Sequence, residues 1–265
     1  MSPSNSALLK VEGLEKRFGG ILALADYNIE IYPGEFVGLI GPNGAGKTTV
    51  FNLLSGVLKP TRGHIFFNGK DNTRLRPDQN AAMGIARTFQ NIRLFNELSV
   101  IDNVKVAFHL RLGSGFWKTL LHAPDYRHSE DEIERRSVEF LELFDLKAMR
   151  DTAVKNLPYG SQRRVEIARA MATQPRLLLL DEPSAGLNPS ETDDLMKILR
   201  TLHNMYGLTI FLIEHDMKLI MAICERIQVI ERGRMLAMGS PDDVRSDQRV
   251  IDAYLGKSNA GGPHA

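Results

Sequence analysis

The stretch Gly41-Pro42-Asn43-Gly44-Ala45-Gly46-Lys47-Thr48-Thr49 has the residue types and spacing to bind phosphate. Gly41, Gly46, Lys47 and Thr48 fit the pattern G-x-x-x-x-G-K-[ST]. Glycine has no Cβ, so the backbone can bend tightly and turn its N–H groups inward. Those groups, with the N-terminus of a following helix, form a positive site for phosphate oxygens. A lysine there reaches the β- and γ-phosphates, and a threonine hydroxyl ligates Mg²⁺. A second reactive pair follows Leu177-Leu178-Leu179-Leu180, where Asp181 and Glu182 end an apolar run. A carboxylate at the carboxyl edge of a buried strand sits where α/β proteins bind ligands. Asp181 can hold Mg²⁺ alongside Thr48. Glu182 can polarise a water that attacks phosphorus.

These residues need strands and helices to hold them. Phe36 to Ile40 is apolar and precedes the glycine loop, and Val50 to Leu54 reads as a helix after it. Leu8 to Phe18, Tyr27 to Tyr32 and His64 to Asn68 read as strands, and Asn28 to Ile31 alternates as a half-buried antiparallel strand does. From Arg87 to about Ala172 strand signals fade. Ser99 to Leu110 and Glu130 to Leu146 read as helices, the second highly charged with Ile133, Val138, Leu141 and Phe144 on one face. Gly113-Ser114-Gly115 and Ala123-Pro124 mark loops around Trp117. Strand signals return at Leu177 and at Thr209 to Ile213. Ser190 to Asp193 resembles a capping box for a helix with Leu195, Ile198, Leu199, Leu202 and Met205 on its apolar face. Arg226 to Glu231 and Arg234 to Met238 read as a hairpin about Arg232-Gly233. Asp242 to Tyr254 reads as one helix, and Lys257 to Ala265 as a frayed tail.

Composition bounds the rest. A net charge of +1 gives no electrostatic basis for general nucleic-acid binding. Cys224 is the only cysteine, which excludes an internal disulfide and a multi-cysteine metal site, and it reads as a reduced core thiol. No apolar run approaches the roughly 20 residues that span a bilayer. The first ten residues lack a signal-peptide layout. The expectation is a soluble protein, reaching a membrane only through a partner.

Further short elements appear in a fixed order: Arg87-Thr88-Phe89-Gln90, Leu157 to Arg164, Ser184 to Pro189, and Ile213-Glu214-His215-Asp216. With the glycine loop and Asp181-Glu182, the chain from Leu8 to Gly256 resembles the ATP-binding subunits of ABC transporters. The resemblance implies an α/β fold: a P-loop NTPase core with an antiparallel β-subdomain and an inserted helical subdomain at about 91–172. It implies one ATPase domain over 7–256, with 257–265 a flexible tail. It implies ATP and Mg²⁺ as ligands. Gly41 to Thr49 would bind nucleotide, Thr48, Gln90 and Asp181 would contact the metal, and Glu182, His215, Lys47 and Gln90 would be catalytic. His215 would bond the γ-phosphate; taken alone, a histidine after a strand is a structural residue. Phe18 matches the aromatic that stacks on adenine, a core phenylalanine being the other reading.

Gly160 and Ser161 fall in the family's signature, which would contact the nucleotide of a facing subunit. That segment departs from the common L-S-G-G-Q, with Pro158 at the serine, Tyr159 at the first glycine and Ser161 at the glutamine, so no serine hydroxyl stands where the family contacts phosphate. The Tyr159-Gly160 pair followed by Gln162-Arg163-Arg164, together with Arg17-Phe18-Gly19-Gly20 and the ending Ala253-Tyr254-Leu255-Gly256, resembles the branched-chain amino-acid importer branch. Pro158 and Ser161 depart from that branch too. The implied partners are a second ATPase subunit, similar or identical, transmembrane permeases and, through them, an external binding protein. The implied place is the cytoplasmic face of the inner membrane. Another cargo such as urea, and a non-transport ABC ATPase, are the alternatives.

Overall fold

The structure, a computed structural model, describes residues 6–112 and 124–255. The glycine and proline loops about Trp117 and the tail expected at 257–265 lie outside the described residues, apart from Pro124.

The chain opens with a hairpin, β1 (Leu9–Phe18) and β2 (Ile21–Ile31). The second strand begins well before Tyr27, because Ile21, Leu22 and Leu24 pair with Phe18, Arg17 and Lys16. This early part lacks clean alternation, so periodicity does not reveal it. β3 (Phe36–Ile40) and α1 (Lys47–Leu54) flank the glycine loop. β4 (Arg62–Phe67) and the short β5 (Lys70–Asp71) complete an antiparallel sheet of order β2-β1-β4-β5. α2 (Pro77–Met83) follows, then β6 (Ile85–Arg87), a three-residue edge strand too short to show a pattern.

The middle of the chain is helical: α3 (Val100–Leu112), α4 (Pro124–Leu143) and α5 (Tyr159–Ala172), with short 3-10 turns at Lys147–Met149 and Val154–Asn156. Val104, Phe108, Ile133, Leu141 and Phe144 are buried at their shared interface. The second half alternates: β7 (Leu177–Asp181), α6 (Pro189–Tyr206), β8 (Thr209–Ile213), α7 (Met217–Ile223), β9 (Arg226–Glu231) and β10 (Arg234–Gly239). The segment expected to be one terminal helix is two, α8 (Pro241–Ser246) and α9 (Gln248–Leu255), since Asp247 is extended at φ −72°, ψ 113°.

The main sheet has the order β10-β9-β3-β8-β7-β6. β9, β3, β8, β7 and β6 run parallel, and β10 returns antiparallel. Alternate residues of its buried strands feed opposite faces. Phe36, Ile40, Leu178, Leu180, Ile210 and Leu212 pack towards the helices. Val37, Leu39, Leu177, Leu179, Phe211 and Ile213 pack with α1 and the antiparallel sheet. A strand apolar on both faces is what a covered parallel sheet requires.

The cap of α6 differs from the sequence reading. Asn188, not Ser190, is the N-cap: its side chain accepts the Glu191 N–H at 3.0 Å, and Glu191 bonds back to the Asn188 N–H at 3.0 Å. Pro189 decides this, because its fixed φ suits the first helical position and the residue before it is held extended. Met205, expected on the apolar face, is 65% exposed in the last turn of the helix. Cys224 is buried, and burial pushes its thiol far above the usual range.

Asn188→Ala should lower stability by about 1 kcal/mol, while Ser190→Ala should change it by less than about 0.5 kcal/mol, both read from urea unfolding. The reverse order would restore the capping box at Ser190. Cys224 should react with a thiol reagent only on unfolding, and fast labelling of the native protein would contradict its burial.

Candidate functional site

Parallel pairing brings separate parts of the sequence to one edge. The glycine loop follows β3, His215 follows β8, Glu182 follows β7, Gln90 lies just beyond β6, and Arg232 begins the turn after β9. Those strands are adjacent, so the residues beyond their carboxyl ends meet. They line a cleft of about 720 Å³ with Asn43 to Thr49, Gln90, Glu182, His215 and Arg232, and with Ile21, Leu22 and Ala23 from the antiparallel sheet.

The glycine loop is wedged against backbone on two sides. A Cβ at Gly41 would stand 2.1 Å from the Ile230 carbonyl oxygen, so no other residue fits there. Gly46, at φ 108°, caps α1 in a left-handed conformation that glycine adopts without penalty. The turn after β9 braces the loop: Gly233 N–H donates to the Ala45 carbonyl at 2.8 Å, and Ala25 N–H to the Gly233 carbonyl at 2.8 Å. The first bond of α1 runs from Val50 N–H to the Gly46 carbonyl, so the donors of the turn before it open from the helix start. Lys47 is buried, with Nζ donating to the Gly41 carbonyl at 2.7 Å and the Pro42 carbonyl at 3.2 Å. Its chain thus spans the loop from within. Thr48 is exposed on the cleft.

Glu182 is the meeting point of the carboxyl-edge groups. Its backbone is left-handed at φ 50°, which costs an L-residue about 1–2 kcal/mol. The conformation is held by its N–H on the Ile213 carbonyl at 2.9 Å and by the Ala185 N–H on its own carbonyl. The carboxylate accepts from Gln90 Nε2 at 2.9 Å, and its other oxygen contacts His215 Nε2. Glu214, buried, ties the two loops together, its oxygens accepting the Ser184 N–H at 2.8 Å and the His215 N–H at 3.0 Å.

Asp181 does not line the cleft. It is buried beneath Glu182, and Arg87 Nη2 donates to its Oδ2 at 2.8 Å. The other guanidinium nitrogen, Nη1, donates to Asn52 Oδ1 on α1 and to Ser55 Oγ at its C-cap. Burial pulls the Arg87 guanidinium below its usual range, against the raising effect of Asp181. Sequence reading named Asp181 but missed Arg87 as its partner, since one arginine before a loop carries no pairing signal. Ile21 to Ala23 and Arg232 were missed as cleft residues for the same reason, although the Arg232-Gly233 turn itself was legible.

The remaining expected residues lie apart from the cleft. Phe18, at the end of β1, is 45% exposed with Lys16 Nζ 5.1 Å from its ring centre, so the core reading does not hold. Gly41 and Pro42 lie at the loop's base. Gly160, in the first turn of α5, lies so close to Glu191 that a Cβ would meet its Oε1 at 2.5 Å. Ser161 is buried, and its hydroxyl accepts from Arg164 at 3.2 Å. At the other end of the chain, Asp252 and Ala253 of α9 face Pro42 to Ala45 across a small pocket.

The oxygen donors Thr48, Gln90 and Asp181 suit a hard cation such as Mg²⁺. Of these, Thr48 and Gln90 line the cleft, whereas Asp181 is buried beneath it with Arg87 on one oxygen; a carboxylate keeps further lone-pair sites for a cation. Arg87→Met should destabilise the fold by about 3–5 kcal/mol by leaving Asp181 buried and unpaired. Adding Asp181→Asn should recover part of that loss in denaturant unfolding, and strictly additive losses would show that the pair does not act as one unit.

Comparison with known proteins agrees with this architecture. The family described as ABC transporter matches residues 24–185, and the family described as branched-chain amino acid ATP-binding cassette transporter matches residues 234–259. The chain is 50% identical over 95% of its length to the high-affinity branched-chain amino acid transport ATP-binding protein LivG of Escherichia coli (strain K12), covering 98% of it. It is 46% identical, with the same coverage, to the corresponding protein BraF of Pseudomonas aeruginosa. Among solved structures, the ADP conformation of an ATP-binding cassette of an ABC transporter superposes with a TM-score of 0.82 at 30% identity, over 95% of this chain and 100% of that one. A dimeric bacterial ABC transporter cassette gives 0.75 at 26% identity, over 88% and 98%. The chain belongs to the ATP-binding proteins of the ABC transporter family.

Proposed function

We propose that this chain hydrolyses ATP in the cleft and thereby powers an importer of branched-chain amino acids. The observation that carries the ATPase reading is Glu182, held between Gln90 and His215 on the wall facing the glycine loop. A carboxylate so placed takes a proton from the water that attacks the γ-phosphorus. Gln90 and His215 orient that carboxylate, and His215 is also poised to donate to the γ-phosphate. The loop N–H groups and the start of α1 hold the phosphates, and Lys47 exchanges its loop carbonyls for phosphate oxygens. Bound Mg²⁺ would neutralise phosphate charge, with Thr48, Gln90 and Asp181 as its protein-side ligands. Phe18, exposed at the strand end, is available to stack on adenine.

The cargo reading is supported by what the relatives at 50% and 46% identity are said to transport, and by the match over 234–259. The lipopolysaccharide export protein LptB of Escherichia coli is more distant, at 34%. We place the chain as one of two facing ATPase subunits, each nucleotide closed by one subunit's glycine loop and by the start of α5 of the other, where Pro158 and Tyr159 are exposed and Gly160 and Ser161 lie buried behind them. In this reading residues 7–256 act as one ATPase domain, with 91–172 as its helical part. Among the described residues no helix is long and apolar enough to cross a membrane. The subunit is then held at the cytoplasmic face by permeases, which an external binding protein serves.

Glu182→Gln should leave ATP affinity intact and slow turnover by about 10²-fold or more; near-normal turnover removes Glu182 from the reaction. Lys47→Ala should lose most ATP affinity, and unchanged affinity would contradict phosphate binding at the loop. A pull-down of tagged Glu182→Gln from solubilised membranes with ATP present should recover permeases and a second ATPase subunit. Permeases for another cargo would overturn the branched-chain assignment, and a partnerless protein the importer assignment, each leaving the ATPase reading in place.

A further inference from the structure

Arg163 and Glu166 lie one turn apart on α5, and they are 0% and 2% exposed. They bond each other at 2.7 Å, and neither lines the cleft. Their remaining bonds converge on the segment after β6. Arg163 Nη1 donates to the Phe89 carbonyl at 2.8 Å, and Nη2 to the Gln90 carbonyl at 2.9 Å. Glu166 Oε1 accepts the Phe89 N–H at 3.3 Å and the Arg93 N–H at 3.4 Å. Arg163 Nη2 also donates to the Tyr159 hydroxyl at 3.1 Å.

Helix packing alone does not account for this pair. Removing two charges from water is costly, and apolar side chains would fill the same space with less penalty. The burial cost is visible at Glu166, whose carboxyl is raised by desolvation in spite of Arg163 beside it. What the charges provide is geometry. The guanidinium fork grips two successive carbonyls while the carboxylate grips N–H groups on either side of Gln90. Gln90, held between these grips, is the residue whose side chain reaches Glu182 at 2.9 Å.

The geometry points to Arg163 and Glu166 as positioning residues whose bonds to the segment around Gln90 hold its side chain at Glu182. The inference rests on the proposed hydrolysis at Glu182. α5 begins next to Pro158, at Tyr159 and Gly160, in the segment assigned above to the facing subunit's nucleotide.

The test uses the full chain, four single variants and one double variant. Glu166→Gln removes the charge at constant shape, Arg163→Lys removes the fork, and Val165→Ala cuts a buried core side chain on the same helix that the segment does not bond. In nucleotide-free protein, amide exchange at Phe89 and Arg93 should rise about tenfold in Glu166→Gln and stay unchanged in Val165→Ala. ATP affinity should stay within about twofold in all three, while kcat falls about tenfold or more in Glu166→Gln and Arg163→Lys only. Combining Glu166→Gln with Gln90→Ala should slow turnover no further than Gln90→Ala does alone. Unchanged protection at Phe89 and Arg93, or turnover no lower than in Val165→Ala, overturns the inference. If Gln90→Ala slows turnover but Glu166→Gln does not, the inference alone fails. If Gln90→Ala has no effect, the catalytic reading of Gln90 fails and the inference falls with it.

Discussion

Leu39, Ile213 and Asp181 stand in one row across three neighbouring parallel strands. Just beyond that row begin the glycine loop, the Glu214-His215 loop and Glu182. The cleft therefore depends on the register of this sheet. Side chains in a strand alternate with a period of two, so a slip of one residue would exchange the two apolar faces of the slipped strand. Register is protected because both faces are buried. Leu178, Ile210 and Phe36 belong to the helical side, while Leu179, Phe211 and Val37 belong to the side of α1. The same packing that stabilises the sheet thus aligns the reactive groups at its edge.

A second layer of organisation comes from buried charge. Arg87 joins Asp181 to α1 through Asn52 and Ser55, and Arg163 with Glu166 joins α5 to the segment carrying Gln90. Such pairs are weak sources of stability because desolvation offsets their attraction. Their value lies in direction: a guanidinium fork fixes angles that apolar contacts leave loose. Both pairs grip what adjoins the cleft rather than its exposed surface. Glu182 itself is kept in a strained backbone by the sheet next to it.

Much of the site was legible in the residues. The glycine loop, Asp181-Glu182 and His215 announce themselves because each follows an apolar strand and bears a chemically restrictive residue type. The helical middle was legible from period and charge, and the expected strands at Leu177 and Thr209 stand where their apolar runs placed them. The departures have local causes. β6 is too short for periodicity, α6 is capped by Asn188 because Pro189 fixes the first turn, and the expected terminal helix breaks at the extended Asp247.

The sequence by itself determined the chemistry on offer: phosphate binding by a glycine loop, carboxylates at strand ends, and an order of motifs that resembles one family. These depend on residue type and short spacing, which a linear chain displays. Only the tertiary structure decided which groups touch. That Asp181 is paired with Arg87, that Gln90 and His215 converge on Glu182, and that Arg163 and Glu166 bond the segment carrying Gln90 are contacts between residues far apart in the chain. Such contacts follow from sheet order and helix packing. These are set by the burial of the whole apolar set at once, and no single stretch of sequence carries that information.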